Sequence, residues 1–461
     1  MRSPVVAGAG WGRTAIRECA RGTCPVAGWV QAVIGDHRNR ASLRRPALGP
    51  SGPRAPKRPD QPLEHNILVT ATLCLLAAGA VMVYSASSAR TLLEGQGDAA
   101  ALLVKYVAFG AVGLGAMFVL ARHGVGLARR FTGLLLIGSF MLLLAVEIPG
   151  VGVTVNGATR WLGAGPLQFQ PSELVKIALV LYAAGLLADR PKRTLAAISP
   201  ILLVGGAAVG LVALQPDLGT ALIICFTMLA LLVAAGTPMR HIGALCAAVV
   251  AAVIAFALSA PYRIERLMTF LDPWSRAGDE GFQVVQGQIA LGSGGLFGLG
   301  PGQSVQKIFY LPEAHTDFIL AVIGEELGVM GVCGLLFLYG LIAYAGLRAA
   351  KAAREAYTQL LAAGLTSLIL CQALLNVFAV LGVVPLTGVP LPFISSGSSS
   401  LLTLLGAVGL LLNVASAPHT RLQAVPAPGS RTSAHGTRAH RGGRDGRARG
   451  ARAGGRRRAA G

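Results

Sequence analysis

Between Ile67 and Ser416 the chain runs again and again for about 20 residues with scarcely a charge, the length a helix needs to cross roughly 30 Å of hydrocarbon. Ten such runs can be placed, at about 66–86, 102–121, 131–148, 171–188, 196–214, 217–235, 241–260, 317–346, 357–382 and 399–416. They predict an all-α fold: a polytopic integral membrane protein of about ten transmembrane helices, with a long extracytoplasmic loop between helices 7 and 8. Composition agrees, since 53% of residues are hydrophobic and only 13% charged, outside the range of a soluble domain.

A formal charge of +20 would point to nucleic acid if it lay on a folded face. Instead, residues 1–60 carry a net +8 and residues 418–461 a net +10, leaving a nearly neutral body between two basic ends. No nucleic-acid partner is expected. The domain reading is a disordered basic cytoplasmic tail over 1–62, a membrane domain over 63–417 with its large external loop at 261–316, and a disordered Arg-rich cytoplasmic tail over 418–461. Seven cysteines include no Cys-x-x-Cys pair and five fall inside apolar runs, so they read as small buried hydrophobes. The first apolar run starts about 65 residues in and is long enough to span, so no cleavable signal peptide is expected.

With the N-terminus inside, the cytoplasmic turns hold Arg122, Arg129 and Arg130; Arg190, Lys192 and Arg193; Arg240; and Arg348, Lys351 and Arg354, as the positive-inside rule requires. The other side collects acids, among them Asp98, Glu147, Glu173, Asp217, Asp272, Asp279, Glu280, Glu313 and Asp317. The expected location is therefore the cell membrane, multi-pass, with both termini cytoplasmic.

Polar chemistry gathers on the acid-rich side. The stretch Gln306-Lys307-Ile308-Phe309-Tyr310-Leu311-Pro312-Glu313-Ala314-His315-Thr316-Asp317 leads straight into an apolar segment, which sets Asp317 in the first turn of a spanning helix at a membrane surface. By position alone, Asp317 equally suits the helix N-terminal dipole. Glu325 and Glu326 are expected about 12 Å further down that helix, paired with a polar group on another helix. His315 either orients a ligand or caps the loop. In the loop at 149–170, Arg160-Trp161 suits the headgroup level. Pro171 then fits a first helical position, and Glu173 and Lys176, at i and i+3, share one helix face as an ion pair or as cavity lining.

These segments resemble, in order, the signatures of the SEDS family (shape, elongation, division and sporulation). The matching residues are Asn156-Gly157-Ala158-Thr159-Arg160-Trp161 with Gln170-Pro171-Ser172-Glu173-Leu174-Val175-Lys176, then Gln215-Pro216-Asp217-Leu218-Gly219-Thr220. Next come Arg263-Ile264-Glu265-Arg266 with Leu271-Asp272-Pro273-Trp274, and Leu311-Pro312-Glu313-Ala314-His315-Thr316-Asp317-Phe318-Ile319 with Ile323-Gly324-Glu325-Glu326-Leu327-Gly328. The last is Gly388-Val389-Pro390-Leu391-Pro392-Phe393-Ile394-Ser395, followed by Ser396 and Ser398 where the family usually has an aromatic residue and a second glycine. The resemblance covers about 66–416, and Ala314 favours the cell-division branch over the rod-shape branch.

The resemblance implies a peptidoglycan glycosyltransferase that polymerises lipid II into glycan strands at the outer face of the cytoplasmic membrane during division. Asp317 takes the role of the family's catalytic base. Arg160, Lys176, Arg263 and Lys307 become cations beside the leaving diphosphate, with Glu173 and His315 at the same substrate cavity. Alternatives are a lipid II flippase and a rod-shape polymerase of the same family. No protein-built metal site is expected, although a divalent cation (Mg or Mn) could assist the diphosphate. Implied partners are lipid II, undecaprenyl-diphosphate-linked glycan, a class B penicillin-binding transpeptidase and other division proteins.

Overall fold

The computed structural model describes residues 62–94, 100–155, 158–164, 167–190, 194–278, 281–307, 311 and 314–416. The two expected tails, and Asp98, Asn156, Gly157, Lys192, Arg193, Asp279, Glu280, Pro312 and Glu313, lie outside the described residues. Long helices dominate: α1 (Leu63–Glu94), α2 (Ala101–Val146), α3 (Pro171–Asp189), α4 (Leu195–Leu214), α5 (Leu218–Ala234) and α6 (Met239–Leu258). The external loop contributes α7 (Pro261–Leu271), one 3-10 turn (Trp274–Arg276) and α8 (Phe282–Ser293), before α9 (Ile319–Ala352), α10 (Ala356–Val380) and α11 (Ser398–Ser416).

The all-α expectation holds, with one small sheet added in a loop. Between α2 and α3 the chain forms a three-stranded antiparallel sheet, β1 (Gly152–Val155), β2 (Ala158–Ala164) and β3 (Leu167–Phe169), in the order β1-β2-β3. Gly152 pairs with Leu162 and Leu162 with Phe169.

Among the described residues, eight helices are long and apolar enough to cross a membrane, and α5, at 17 residues, is a shorter apolar ninth. The tenth crossing lies within α2, whose 46 residues cover two of the expected runs. Its first half follows α11: a β-carbon on Gly110 would touch Leu401, and Asn413 Nδ2 donates to the Ala121 carbonyl at 2.7 Å. Its far end returns to the starting level, because Leu143 O accepts from Gln215 Nε2, and Gln215 is joined through Asp217 and Gln170 to Ser399 at the head of α11. A straight helix would hold Gly110 and Leu143 about 50 Å apart, so α2 reverses after Ala121 and crosses twice.

α9 departs from the expected single span. Gly328 sits at φ 67° and ψ −166°, a region that side-chain-bearing residues avoid. The Tyr339 hydroxyl donates to Pro392 O at 2.5 Å, and Ser395 Oγ, three residues on, donates to Thr316 O at 2.6 Å. A straight helix through both would separate Thr316 from Tyr339 by about 35 Å, more than these contacts allow. The limb Ile319–Leu327 therefore leaves the line of Val329–Ala352.

This corrects the expected depth of Glu325 and Glu326. They stand at the break rather than further down a span. Glu326 Oε1 accepts from Ser85 Oγ of α1 at 2.6 Å, whereas Leu76 of α1 is level with Phe393, the two carbonyls sharing the Tyr106 hydroxyl.

Burial ranks the helices. In α10 and α11, 78% and 83% of the most apolar window is buried, against 6% for α6, so α10 and α11 form the centre and α6 stands at the periphery. Arg348 and Arg129 stand at the end away from Asp317: Arg348 pairs with Glu64 at 2.7 Å, and Arg129 lies over the Tyr357 ring at the start of α10.

Candidate active site

Asp317 lies in the turn Ala314–Phe318, two residues before α9 begins, and not in its first helical turn. Three consecutive carbonyls of this turn are held from outside. His315 O accepts from Ser396 N at 3.2 Å and Ser396 Oγ at 2.9 Å, Thr316 O from Ser395 Oγ, and Asp317 O from Asn376 Nδ2 at 2.8 Å. Carbonyls fixed in this way set the peptide planes, and the planes set where the side chains of His315 and Asp317 begin. Both residues are half-buried.

The Asp317 carboxylate faces the α10–α11 connection. Gly388 there has φ 65°, and a β-carbon on it would lie 3.4 Å from Asp317 Oδ2. The same connection packs on the first turn of α5, where a β-carbon on Gly219 would meet Thr387. Asp217 caps that turn, accepting from Thr220 N at 3.1 Å and from Gln170 Nε2 at 3.0 Å. Arg160, from β2, donates Nε to Gln215 O at 2.9 Å and Nη2 to Pro216 O. A short chain of contacts thus brings Arg160, Asp217, Gly388 and Asp317 to one end of the bundle.

Glu173 and Lys176 form their ion pair at 2.9 Å with both side chains about 2% exposed or less. Burying two charges is tolerated only with further partners. Lys176 Nζ also donates to Gln372 Oε1 at 2.8 Å, and Thr403 Oγ1 donates to Glu173 Oε2 at 3.2 Å. Gln372 in turn donates Nε2 to Pro390 O and Ser400 Oγ, and Asn376 donates Nδ2 also to Val389 O at 2.7 Å. Gln372 and Asn376, one turn apart on α10, escaped the sequence reading. Two amides at i and i+4 in an otherwise apolar span were the available signal.

The other two cations are elsewhere. Lys307 is buried, with Nζ 2.8 Å from both Glu326 Oε1 and Gly302 O, and 3.1 Å from Ser85 Oγ. Glu325 accepts from Ser304 Oγ at 2.5 Å and Val305 N at 3.0 Å. Arg263, at the start of α7, donates to Ser259 Oγ at 2.6 Å and stacks 3.7 Å over the Phe256 ring of peripheral α6. Phe256 closes one end of an apolar groove of about 440 Å³ between α4, α5 and α6, lined also by Gly206, Gly210, Ala221 and Ala252. Among the described residues no group of three or more His, Cys, Asp or Glu is arranged to hold a metal ion.

The bundle and its fixed carboxylate define a multi-pass membrane protein with a polar site at one end. The chain belongs to the FtsW/RodA/SpoVE family: the family profile described as "Cell cycle protein" matches residues 65–420. It is 39% identical over 351 residues to stage V sporulation protein E of Bacillus subtilis, covering 76% of this chain and 96% of that one. It is 42% identical over 357 residues to the probable peptidoglycan glycosyltransferase FtsW of Thioalkalivibrio sulfidiphilus, covering 75% and 88%. Among solved structures, a chain of a peptidoglycan synthase complex that coordinates polymerization and crosslinking superposes with a TM-score of 0.63 at 32% identity, covering 76% and 96%. The rod shape determining protein RodA of Thermus thermophilus superposes with a TM-score of 0.56 at 31% identity, covering 76% and 95%.

Proposed function

We propose that this chain is a peptidoglycan glycosyltransferase that polymerises lipid II into glycan strands at the outer face of the cell membrane during division, with Asp317 as general base. The observation that carries the reading is the half-buried Asp317, set on a backbone held at three successive carbonyls in a chain whose relatives bear that activity in their names. In glycan extension a sugar hydroxyl attacks an anomeric carbon. The bond from that carbon to the diphosphate breaks, a new carbon–oxygen bond forms with inversion, and the hydroxyl proton passes to Asp317. Proton transfer to a positioned carboxylate contributes about 10²- to 10⁴-fold.

Arg160 meets the departing diphosphate. Two of its donors hold the Gln215 and Pro216 carbonyls, and a guanidinium has five. His315 orients the sugar beside Asp317. Lys176 and Lys307 serve through the carboxylates they already hold, keeping the walls of the site in place. The apolar groove beneath Arg263 suits an isoprenoid chain of lipid II or of the undecaprenyl-diphosphate-linked glycan. A divalent cation, Mg or Mn, would arrive on the diphosphate and offset its charge as it departs.

The partner is a single-pass class B penicillin-binding transpeptidase beside α9 and α10, joined by other division proteins; the likeness to a chain of a peptidoglycan synthase complex supports this. The gathering of Arg129 and Arg348 at the end opposite Asp317 supports cytoplasmic termini. The test is direct. Purified protein, alone and with that partner, receives labelled lipid II in detergent, where sidedness has no meaning. Strand formation lost in Asp317→Ala supports the reading, while normal polymerisation by that variant removes Asp317 from the role. Lipid movement in vesicles without strand formation in either assay makes the chain a flippase.

A further inference from the structure

At the break in α9, four backbone groups pair with a glycine-rich loop rather than along the helix. Leu299 N donates to Glu325 O at 2.9 Å and Gly300 N to Glu326 O at 3.0 Å, while Val329 N and Met330 N donate to Gly295 O and Leu296 O at 3.0 and 3.1 Å. The fit is tight, since a β-carbon on Gly328 would lie 2.6 Å from the Leu296 carbonyl oxygen. The backbone of 295–300 is therefore anchored to α9 at Gly295, Leu296, Leu299 and Gly300. Its side chains are not covered: Phe297 is 80% exposed, Leu296 65% and Leu299 49%, beside Val305, Val329 and Met330, which are 55%, 49% and 61% exposed.

Two further observations indicate what covers this patch. Residues 281–306 contain no Asp, Glu, Lys or Arg, where an aqueous segment of that length would carry about six. The patch is also at membrane height. Arg348 meets Glu64 and Glu326 meets Ser85, so α1 rises about 32 Å between the two contacts, close to the roughly 30 Å of hydrocarbon. The loop sits on α9 at the upper of these levels and is continuous with the exposed apolar face of the spanning limb through Val329 and Met330. Irregular backbone is tolerated at the edge of a bilayer where it is held against protein with polar groups paired, and the bonds joining Gly295, Leu296, Leu299 and Gly300 to α9 supply such a hold.

We propose that residues 295–305 form an interfacial wedge, with Leu296, Phe297 and Leu299 inserted among the acyl chains of the leaflet on the Asp317 side. The occupant is lipid, not a protein partner and not water. The wedge grips α9 on both sides of Gly328, and the limb Ile319–Leu327 starts two residues after Asp317. Lipid contact at Phe297 thus fixes the height of Asp317 against the membrane surface, whatever chemistry that carboxylate performs.

The experiment uses the full chain in phosphatidylcholine vesicles, with Phe297→Trp and, independently, Leu296→Trp, each read as the difference from the parent and its 4 tryptophans. The expected added emission is blue-shifted, indifferent to aqueous iodide, and reduced by about half or more when the lipids are brominated at shallow acyl positions, less at deep ones, as for an interfacial side chain. Red-shifted emission quenched by iodide and untouched by bromolipid would overturn the proposal and leave the patch for a protein partner. Emission indifferent to both quenchers would overturn it as well, since the tip would then be covered by the protein itself.

Discussion

Asn376 joins the backbone of Asp317 to the connection that faces the Asp317 carboxylate: one amide nitrogen donates to Asp317 O at 2.8 Å and to Val389 O at 2.7 Å. Removing it frees the turn from the ledge carrying Gly388. Asn376→Ala is expected to lower the lipid II polymerisation rate by about 10²-fold, the order of loss that a misplacement near 1 Å produces, with KM little changed. A variant that keeps its turnover and loses only thermal stability would show that Asn376 supports the bundle and not the acid.

The buried pair makes a prediction about stability. Glu173→Ala leaves the Lys176 ammonium buried with only Gln372 beside it and is expected to cost about 3–5 kcal/mol. The double variant Glu173→Leu with Lys176→Met removes both charges and should recover most of that loss. Thermal unfolding in one detergent compares the three proteins, and a double variant no more stable than the single would contradict the account.

Gly328 is the third test. Its φ of 67° and ψ of −166° cost any other residue about 1–3 kcal/mol, before the clash with the Leu296 carbonyl. Gly328→Ala is expected to lower the unfolding temperature and to detach the 295–300 loop, seen as new protease cleavage there. Gly334, in the same helix with open space around it, accepts alanine without effect and serves as the control.

Arg160 grips two neighbouring carbonyls with a planar fork that lysine cannot copy. Arg160→Lys is therefore expected to lose polymerisation nearly as fully as Arg160→Ala. Restored activity in the lysine variant would mean that charge alone is needed at that position.

Much of this was legible in the sequence. Apolar runs of spanning length announce the ten crossings because hydrocarbon thickness leaves little freedom, and the i, i+3 spacing of Glu173 and Lys176 announces their pair. The sheet at 152–169 is hidden by brevity, although Asn156-Gly157 directly after Val153-Thr154-Val155 is a hairpin signal. The depth of Glu325 and Glu326 is not legible in the sequence because the apolar run continues through Gly328, and only tertiary contacts reveal a break there that pairs with 295–300. Lys307 could not be separated from Arg160 by charge alone. What separates them is that a carboxylate already occupies Lys307, whereas Arg160 holds neutral carbonyls.

The ledge opposite Asp317 rests on two phenols. Tyr339 of α9 supports Pro392 and Tyr106 of α2 supports Phe393, each at 2.5 Å. Two separate helices are thereby pinned to neighbouring residues of one short stretch, so the stretch facing Asp317 keeps its place only while α2 and α9 keep their spacing.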